Sequence, residues 1–249
     1  TITVTPTYTN NGVICSGNSE QFTIIVNPSA QVNDVTNYNT ILCDGEFTPV
    51  YSFTTANTDG LTSFNWTNNN VAIGLAASGE GGIPSFQVTN STQSTISATI
   101  TVTPSYENNG IICDGNAETF TIMVNPSPEM DNVDDIVLCN NEISSIIEFT
   151  TPNTDGNTTY NWTNDNTSIG LSSSGNGDIP SFTAINLNPI TEVATITVTP
   201  TYENNGVVCI GDPQTFSISV LSEIEITATT VDALDCNDPN SGNINITVT

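Results

Sequence analysis

A phrase of fifteen residues occurs three times in this chain of 249: TITVTPTYTNNGVIC at Thr1, TITVTPSYENNGIIC at Thr99 and TITVTPTYENNGVVC at Thr195, at spacings of 98 and 96 residues. The rest of the unit repeats with it. TILCDGEF around Cys43 returns as IVLCNNEI around Cys139, and FTTANTDGLTSFNWTNNN returns as FTTPNTDGNTTYNWTNDN. A fixed period of about 96 residues is the size of one small domain, so the chain reads as a tandem array of modules, two whole and two partial. The boundaries follow from the junctions NPS and NPSP: residues 1–27 close one module, 28–126 and 127–222 are complete, and 223–249 open another.

Within a unit the period is two. In SATITVT, Ala98, Ile100 and Val102 share one face while Thr99, Thr101 and Thr103 share the other, and Phe120, Ile122 and Val124 repeat the pattern. Turn signals such as Asp44-Gly45, Asp59-Gly60 and Asn109-Gly110 punctuate the alternation, and no stretch combines helical spacing with a cap. The expected class is all-β, with each unit an immunoglobulin-like sandwich of about seven strands and one Trp on a central strand. Strand A is expected at residues 31–35 and 40–43, B at 50–55, C at 63–67 and C′ at 71–75. E is expected at 85–88, F at 95–103 and G at 119–125. Pro104, which cannot donate to a ladder, should mark a bulge or the end of regular pairing in F. The Pro-containing junctions are semi-rigid, so successive sandwiches are expected end to end.

Composition narrows the function. The chain has no Lys, Arg or His against 26 Asp and Glu, a formal charge of −26. Without cations there is no salt bridge, no clamp on a phosphate and no anchor for an anionic membrane, which excludes nucleic acid and direct membrane insertion as modes of binding. Hydrophobic residues make up 36%, enough for a core despite the charge. Apolar runs of four or five residues are far short of the about 18 that a spanning helix needs. The chain opens directly on a strand-like TITVT and closes inside TVT, so a longer protein is expected, with its secretion signal outside this segment.

The repeated TITVTPxYxNNGxxCxG, followed by a strand ending in VNP, resembles the PKD-like domains found in tandem in large surface proteins of gliding Bacteroidetes. IEITATTVDALDCNDPNSGNINITVT from Ile224 onward resembles the opening of an SprB-type repeat. The resemblance implies export by type IX secretion, exposure on the outer face of the outer membrane, partnership with the gliding machinery, and a role in attachment and gliding. It brings no catalytic residues with it.

Trp66 and Trp162 share strand parity with Phe64 and Tyr160 and are expected in the core rather than on a sugar-stacking platform. Paired carboxylates without His, Lys or Arg leave most acid–base and nucleophilic schemes without a partner, so no enzyme is expected. The sequons at Asn65, Asn90, Asn157, Asn161, Asn166 and Asn245 follow from the abundance of Asn and Thr. Asp59 and Asp155 recur within NTDG between strands B and C, and Asp114 recurs only in part, Ser16 and Ile210 standing at the matching positions. They read first as turn residues and alternatively as hard oxygen ligands for Ca²⁺.

Six cysteines fall at two repeated places: Cys43, Cys139 and Cys236 before strand B, and Cys15, Cys113 and Cys209 in the F–G hairpin. With no CxxC and no His, disulfides are favoured over metal. Two pairings compete. Within a domain, Cys43 would join Cys113 and Cys139 would join Cys209. Yet strand A runs about a dozen residues at roughly 3.3 Å each, which carries Cys43 to the end of the sandwich opposite its own F–G hairpin. Bridged cysteines need Cα atoms within about 7 Å, so Cys43 is expected to reach Cys209 of the next unit instead.

Three functions fit these features: a spacer that projects an adhesive tip, repeats that themselves bind polysaccharide, and a Thr-ladder surface of the ice-binding kind. Pro interrupts the Thr tracts, which disfavours the last. Neighbouring repeats of the same chain are the expected partners in every case. Self-repulsion among like charges is screened over about 8 Å at physiological salt. Stability should therefore rise with NaCl in a thermal melt, and a further rise with CaCl₂ at matched ionic strength would assign an ion to the Asp turns.

Overall fold

The computed structural model describes residues 1–223 and, for the backbone alone, Ile226–Val231 and Asn243–Val248. Cys236 lies outside the described residues. The alternation of apolar and hydroxyl side chains produces strands throughout, and the molecule is all-β with two immunoglobulin-like sandwiches. The leading segment forms β1 (Ile2–Val4), β2 (Thr7–Asn10), β3 (Val13–Ser16) and β4 (Glu20–Phe22), with β1 antiparallel to β4 and β2 to β3.

The first sandwich contributes β5 (Thr40–Cys43), β6 (Leu61–Asn68), β7 (Ser78–Glu80), β8 (Ile96–Asn108), β9 (Ile111–Asp114) and β10 (Glu118–Asn125). The second contributes β11 (Ile136–Cys139), β12 (Asn157–Asn164), β13 (Ser174–Asn176), β14 (Glu192–Asn204), β15 (Val207–Ile210) and β16 (Gln214–Leu221). Sheet order is the same in both: β5-β10-β8-β6-β7 with β9 on β8, and β11-β16-β14-β12-β13 with β15 on β14. β11 runs parallel to β16, Ile136 facing Ile218, and the other ladders of that sheet are antiparallel. Beyond these, β17 (Ile226–Val231) pairs antiparallel with β18 (Asn243–Val248).

The opposite layer is held by single bridges. Phe47 meets Gln87 and Tyr51 meets Ile83, and the second sandwich repeats this with Ile143–Thr183 and Ile147–Ile179. The segments expected as the first part of strand A (31–35) and as B and E are extended chain here, while the second part of A is β5: Asn33 N–H bonds to the Thr54 carbonyl at 2.8 Å, but no ladder of strand length forms in those three.

Two further expectations are corrected. Residues 71–75 are not strand C′ but carry a 3₁₀ turn, Val71–Ile73. The Asn70 side chain caps it by accepting from Ala72 N–H at 3.2 Å, and Gly74 at φ 91° ends it. Asn166, Thr167–Ile169 and Gly170 repeat the device, while β7 and β13 take the C′ position. Strand F does not stop its pairing at Pro104. β8 runs on to Asn108, because the β6 side continues from Phe64↔Pro104 to Leu61↔Glu107. The break falls on the other side alone. In the second sheet β16 pairs β14 up to Val198 and β15 takes over at Thr201, so Pro200 faces the gap where its missing N–H costs nothing.

Ile100, Val102, Phe120, Ile122 and Val124 fill the first core, and Ile196, Val198, Phe216, Ile218 and Val220 fill the second. Trp66 and Trp162 are buried, 6% and 3% exposed, and their indole N–H groups have no hydrogen-bond partner among the described residues, so both rings serve by apolar area. Each lies over a glycine on the neighbouring strand. A Cβ on Gly79 or on Gly175 would come within 2.3 Å of the Trp66 or Trp162 ring. Gly79→Ala and Gly175→Ala are therefore each expected to destabilise by about 1–3 kcal/mol, the cost of overpacking, measured as a lowered denaturation midpoint in urea.

Candidate functional site

The three acidic candidates are explained by local structure. Asp59 (φ 67°) and Asp155 (φ 66°) adopt the left-handed conformation that a short polar residue tolerates in a turn. The turn is pinned by a tyrosine from strand F: Tyr106 Oη donates to the Thr58 carbonyl at 2.7 Å, and Tyr202 Oη to the Thr154 carbonyl at 2.8 Å. The next residue must be glycine, since a Cβ on Gly60 or Gly156 would fall within 2.6 Å of the tyrosine ring. Asp114 ends β9 and accepts from Ser105 Oγ at 3.0 Å. Among the described residues no group of three or more Asp, Glu or Cys stands close enough to hold a metal ion.

Contacts divide the chain into two units. One comprises Thr1–Thr40, Glu46–Val88 and Ser97–Met123, the other Ile41–Gly45, Thr89–Ile96 and Val124–Thr249. The second unit thus takes in three pieces that belong by repeat position to the first, and those pieces carry a polar site built around a disulfide.

Its covalent element is a disulfide between Cys43, at the end of β5, and Cys209, in β15, with Cα atoms 5.6 Å apart and a sequence separation of 166. The pairings within a repeat, Cys43 with Cys113 and Cys139 with Cys209, are absent. Cys15, Cys113 and Cys139 are free thiols, Cys15 and Cys139 exposed.

Beside the bond, Asp44 accepts from Asn90 N–H at 2.7 Å and from Ser127 Oγ at 3.0 Å. Asn90 is buried, and its amide donates to the Val124 and Ser94 carbonyls, both at 2.8 Å. Asn125, fully buried, accepts from Thr95 Oγ1 at 2.8 Å and donates to the Asn204 carbonyl at 3.4 Å. The Asn204 amide in turn donates to Thr95 Oγ1 at 2.8 Å. Gln93 completes the set: its carbonyl takes Thr154 N–H at 2.7 Å, its side-chain oxygen takes the Asn153 amide at 3.1 Å, and its own amide donates to Glu129 at 2.9 Å. The first unit holds a counterpart, where the Asn27 amide donates to the Asn108 carbonyl at 3.1 Å.

Sequence reasoning missed this amide and hydroxyl network. Its signal was present, since Asn27 and Asn125 both close the VNP phrase and Asn108 and Asn204 both precede the hairpin turn, at the repeat spacing.

No protein-family model and no curated protein sequence matches the chain. Among solved structures it is similar to human protocadherin-24 EC1-2, with 13% identity, TM-score 0.41, and coverage of 80% of this chain and 100% of that one. Human mucin-like protocadherin EC1-2 gives 11% identity, TM-score 0.32, and coverage of 78% and 98%. Sidekick-1 immunoglobulin domains 1-4 give 12% identity, TM-score 0.26, and coverage of 83% and 49%. At these values the likeness says nothing of ligands or partners.

A disulfide closing so long a loop removes much of the entropy of the unfolded chain, typically about 2–5 kcal/mol of stability. Cys209→Ser should lower the urea midpoint of the second unit accordingly, and reductant should lower the wild-type midpoint equally while leaving the variant unchanged.

Proposed function

We propose that this chain is a structural stalk segment of a long secreted cell-surface adhesin, with modules of the PKD-like kind joined in tandem and residues 223–249 opening a module of the SprB type. The observation that carries the reading is the bond from Cys43 to Cys209, one repeat further on, together with the network of Asp44, Asn90, Asn125 and Asn204 around it. A covalent tie from one module to the next resists drag in a way that a flexible linker does not. Absence of Lys and Arg also leaves trypsin-like proteases no site in the chain, which suits exposure to secreted proteases.

Oxidised cysteines agree with an extracellular place, and no helix among the described residues is long and apolar enough to cross a membrane. Export by type IX secretion, display on the outer face of the outer membrane and a part in attachment and gliding belong to the proposal through the sequence resemblance. The stalk reading assigns the repeats no catalysis and makes neighbouring repeats their direct partners. The reading in which the repeats bind polysaccharide loses its main candidates, because Trp66 and Trp162 are buried.

Two measurements test the proposal. Electron micrographs of the intact protein should show a thin rod lengthening with repeat number, and a glycan array probed with the purified chain should show no saturable binding. Specific binding on the array would replace the stalk reading with the adhesive one.

A further inference from the structure

The two repeats end differently. In the first, the residues that follow Asn90 and the one that ends β10 are polar: Ser91, Gln93, Ser94, Thr95 and Asn125. At the matching positions, 96 residues on, the second repeat has Leu187, Pro189, Ile190, Thr191 and Leu221. Leu187 is 91% exposed, Ile190 70% and Leu221 41%. The framework beneath is unchanged. Asn186 is buried like Asn90, and its amide donates to the Val220 and Ile190 carbonyls at 2.8 Å just as Asn90 does to Val124 and Ser94. Asn140 takes the place of Asp44, accepting from Asn186 N–H at 2.8 Å. Cys139, the counterpart of Cys43, is exposed as a free thiol at a cleft of about 450 Å³ that it lines with Asn140, Thr191, Leu221, Ser222 and Glu223.

We propose that this cleft is the docking site for the F–G hairpin of a further β-sandwich module of the same polypeptide, one that supplies a cysteine to Cys139 and apolar side chains to Leu221 and Ile190. The inference rests on the stalk reading and extends it to the partner of this surface. Two features fix the occupant. Cys43, at the equivalent place on the same framework, is bonded to a hairpin cysteine, so the position is one that a hairpin reaches. And Leu221 cannot do what Asn125 does. It neither accepts from a threonine hydroxyl nor donates to a hairpin carbonyl, so a hairpin bearing Asn204 would leave that residue's carbonyl unpaired against it. The cleft thus selects against the hairpin of its own repeat type, and module order is written in the joint. Bond formation joins the two Sγ atoms with loss of two protons and two electrons to a protein disulfide oxidant in the export compartment, by thiol–disulfide exchange.

The experiment is non-reducing peptide mapping of the full-length secreted protein with a protease that cuts at Asp and Glu. The expected result is Cys139 linked to a cysteine downstream of residue 249, in a segment with apolar neighbours. Cys139 recovered as a free thiol, or bonded to any cysteine within residues 1–249 or to a second copy, overturns the proposal. The same map reads Cys43–Cys209 separately, so loss of that bond would count against the stalk reading rather than this one. As a second measurement, the paired change Leu221→Asn and Ile190→Ser should lower the oxidised fraction of Cys139 at least tenfold and leave Cys43–Cys209 intact. An unchanged oxidised fraction would show that the apolar surface plays no part.

Discussion

Every polar contact in this molecule is made without a positive side chain, and the rest of the structure follows from that constraint. Carboxylates have nowhere to turn but to backbone N–H groups and neutral donors. Asp34 accepts from Thr36 N–H at 2.8 Å, Asp135 from Ser217 N–H at 2.7 Å, Asp165 from Thr195 N–H at 2.7 Å and Asp178 from Phe149 N–H at 2.9 Å. Bonds of this kind favour the ionised form, and those to Thr36 and Ser217 hold the Asp34 and Asp135 carboxyls below the ordinary value of 3.8. Glu192 lies below 4.5 for a related reason, accepting from the amides of Asn166 and Asn188. In each case the acid ties down a strand edge or loop, so part of the negative charge that repels across the surface is also what fastens it.

The same constraint explains why asparagine occupies most of the buried polar positions among the described residues. An amide both donates and accepts, so Asn68 and Asn164 tie β6 and β12 to the Leu75 and Leu171 carbonyls, and Asn90 and Asn186 close the ends of β10 and β16, with no charge to desolvate. A buried ion pair would need a base that the chain lacks.

Much of this was legible in advance. Period-two alternation identified the central strands, because Ala98, Ile100 and Val102 face a core on one side while the threonines between them do not. The Trp positions followed from parity, and of strand A the second part, Thr40–Cys43, is a strand as expected. What the alternation could not show was local chain chemistry. Residues 71–75 read as a strand by apolar content, yet the Asn70 cap and the left-handed Gly74 bend them into a turn that still buries Ile73 and Leu75. Pro104 read as a bulge or the end of regular pairing, but a proline ends pairing only on the side its nitrogen faces. Strands B and E were expected as ladders and are single bridges, since burial of Tyr51 and Ile83 fixes the layer without continuous pairing. At the disulfide site the cysteines were visible and the amides were not, because asparagine is too common in this chain for any one of them to stand out.

Why a covalent bond stands at this site follows from the charge. Like charges repel throughout this acidic chain, and the usual remedy, ion pairs, is closed to a chain without cations. Neutral hydrogen bonds such as Thr95 to Asn125 contribute only about 1 kcal/mol each after exchange with water, too little on their own to oppose that repulsion. A disulfide is indifferent to charge, salt and pH over the range in which the carboxylates ionise, and it asks only for two thiols at the right separation in an oxidising place. Around it the polar network has a narrower task, which is orientation. The bond between Cys43 and Cys209 limits how far its two segments can part, and the amides of Asn90, Asn125 and Asn204 hold the carbonyls and hydroxyl around it.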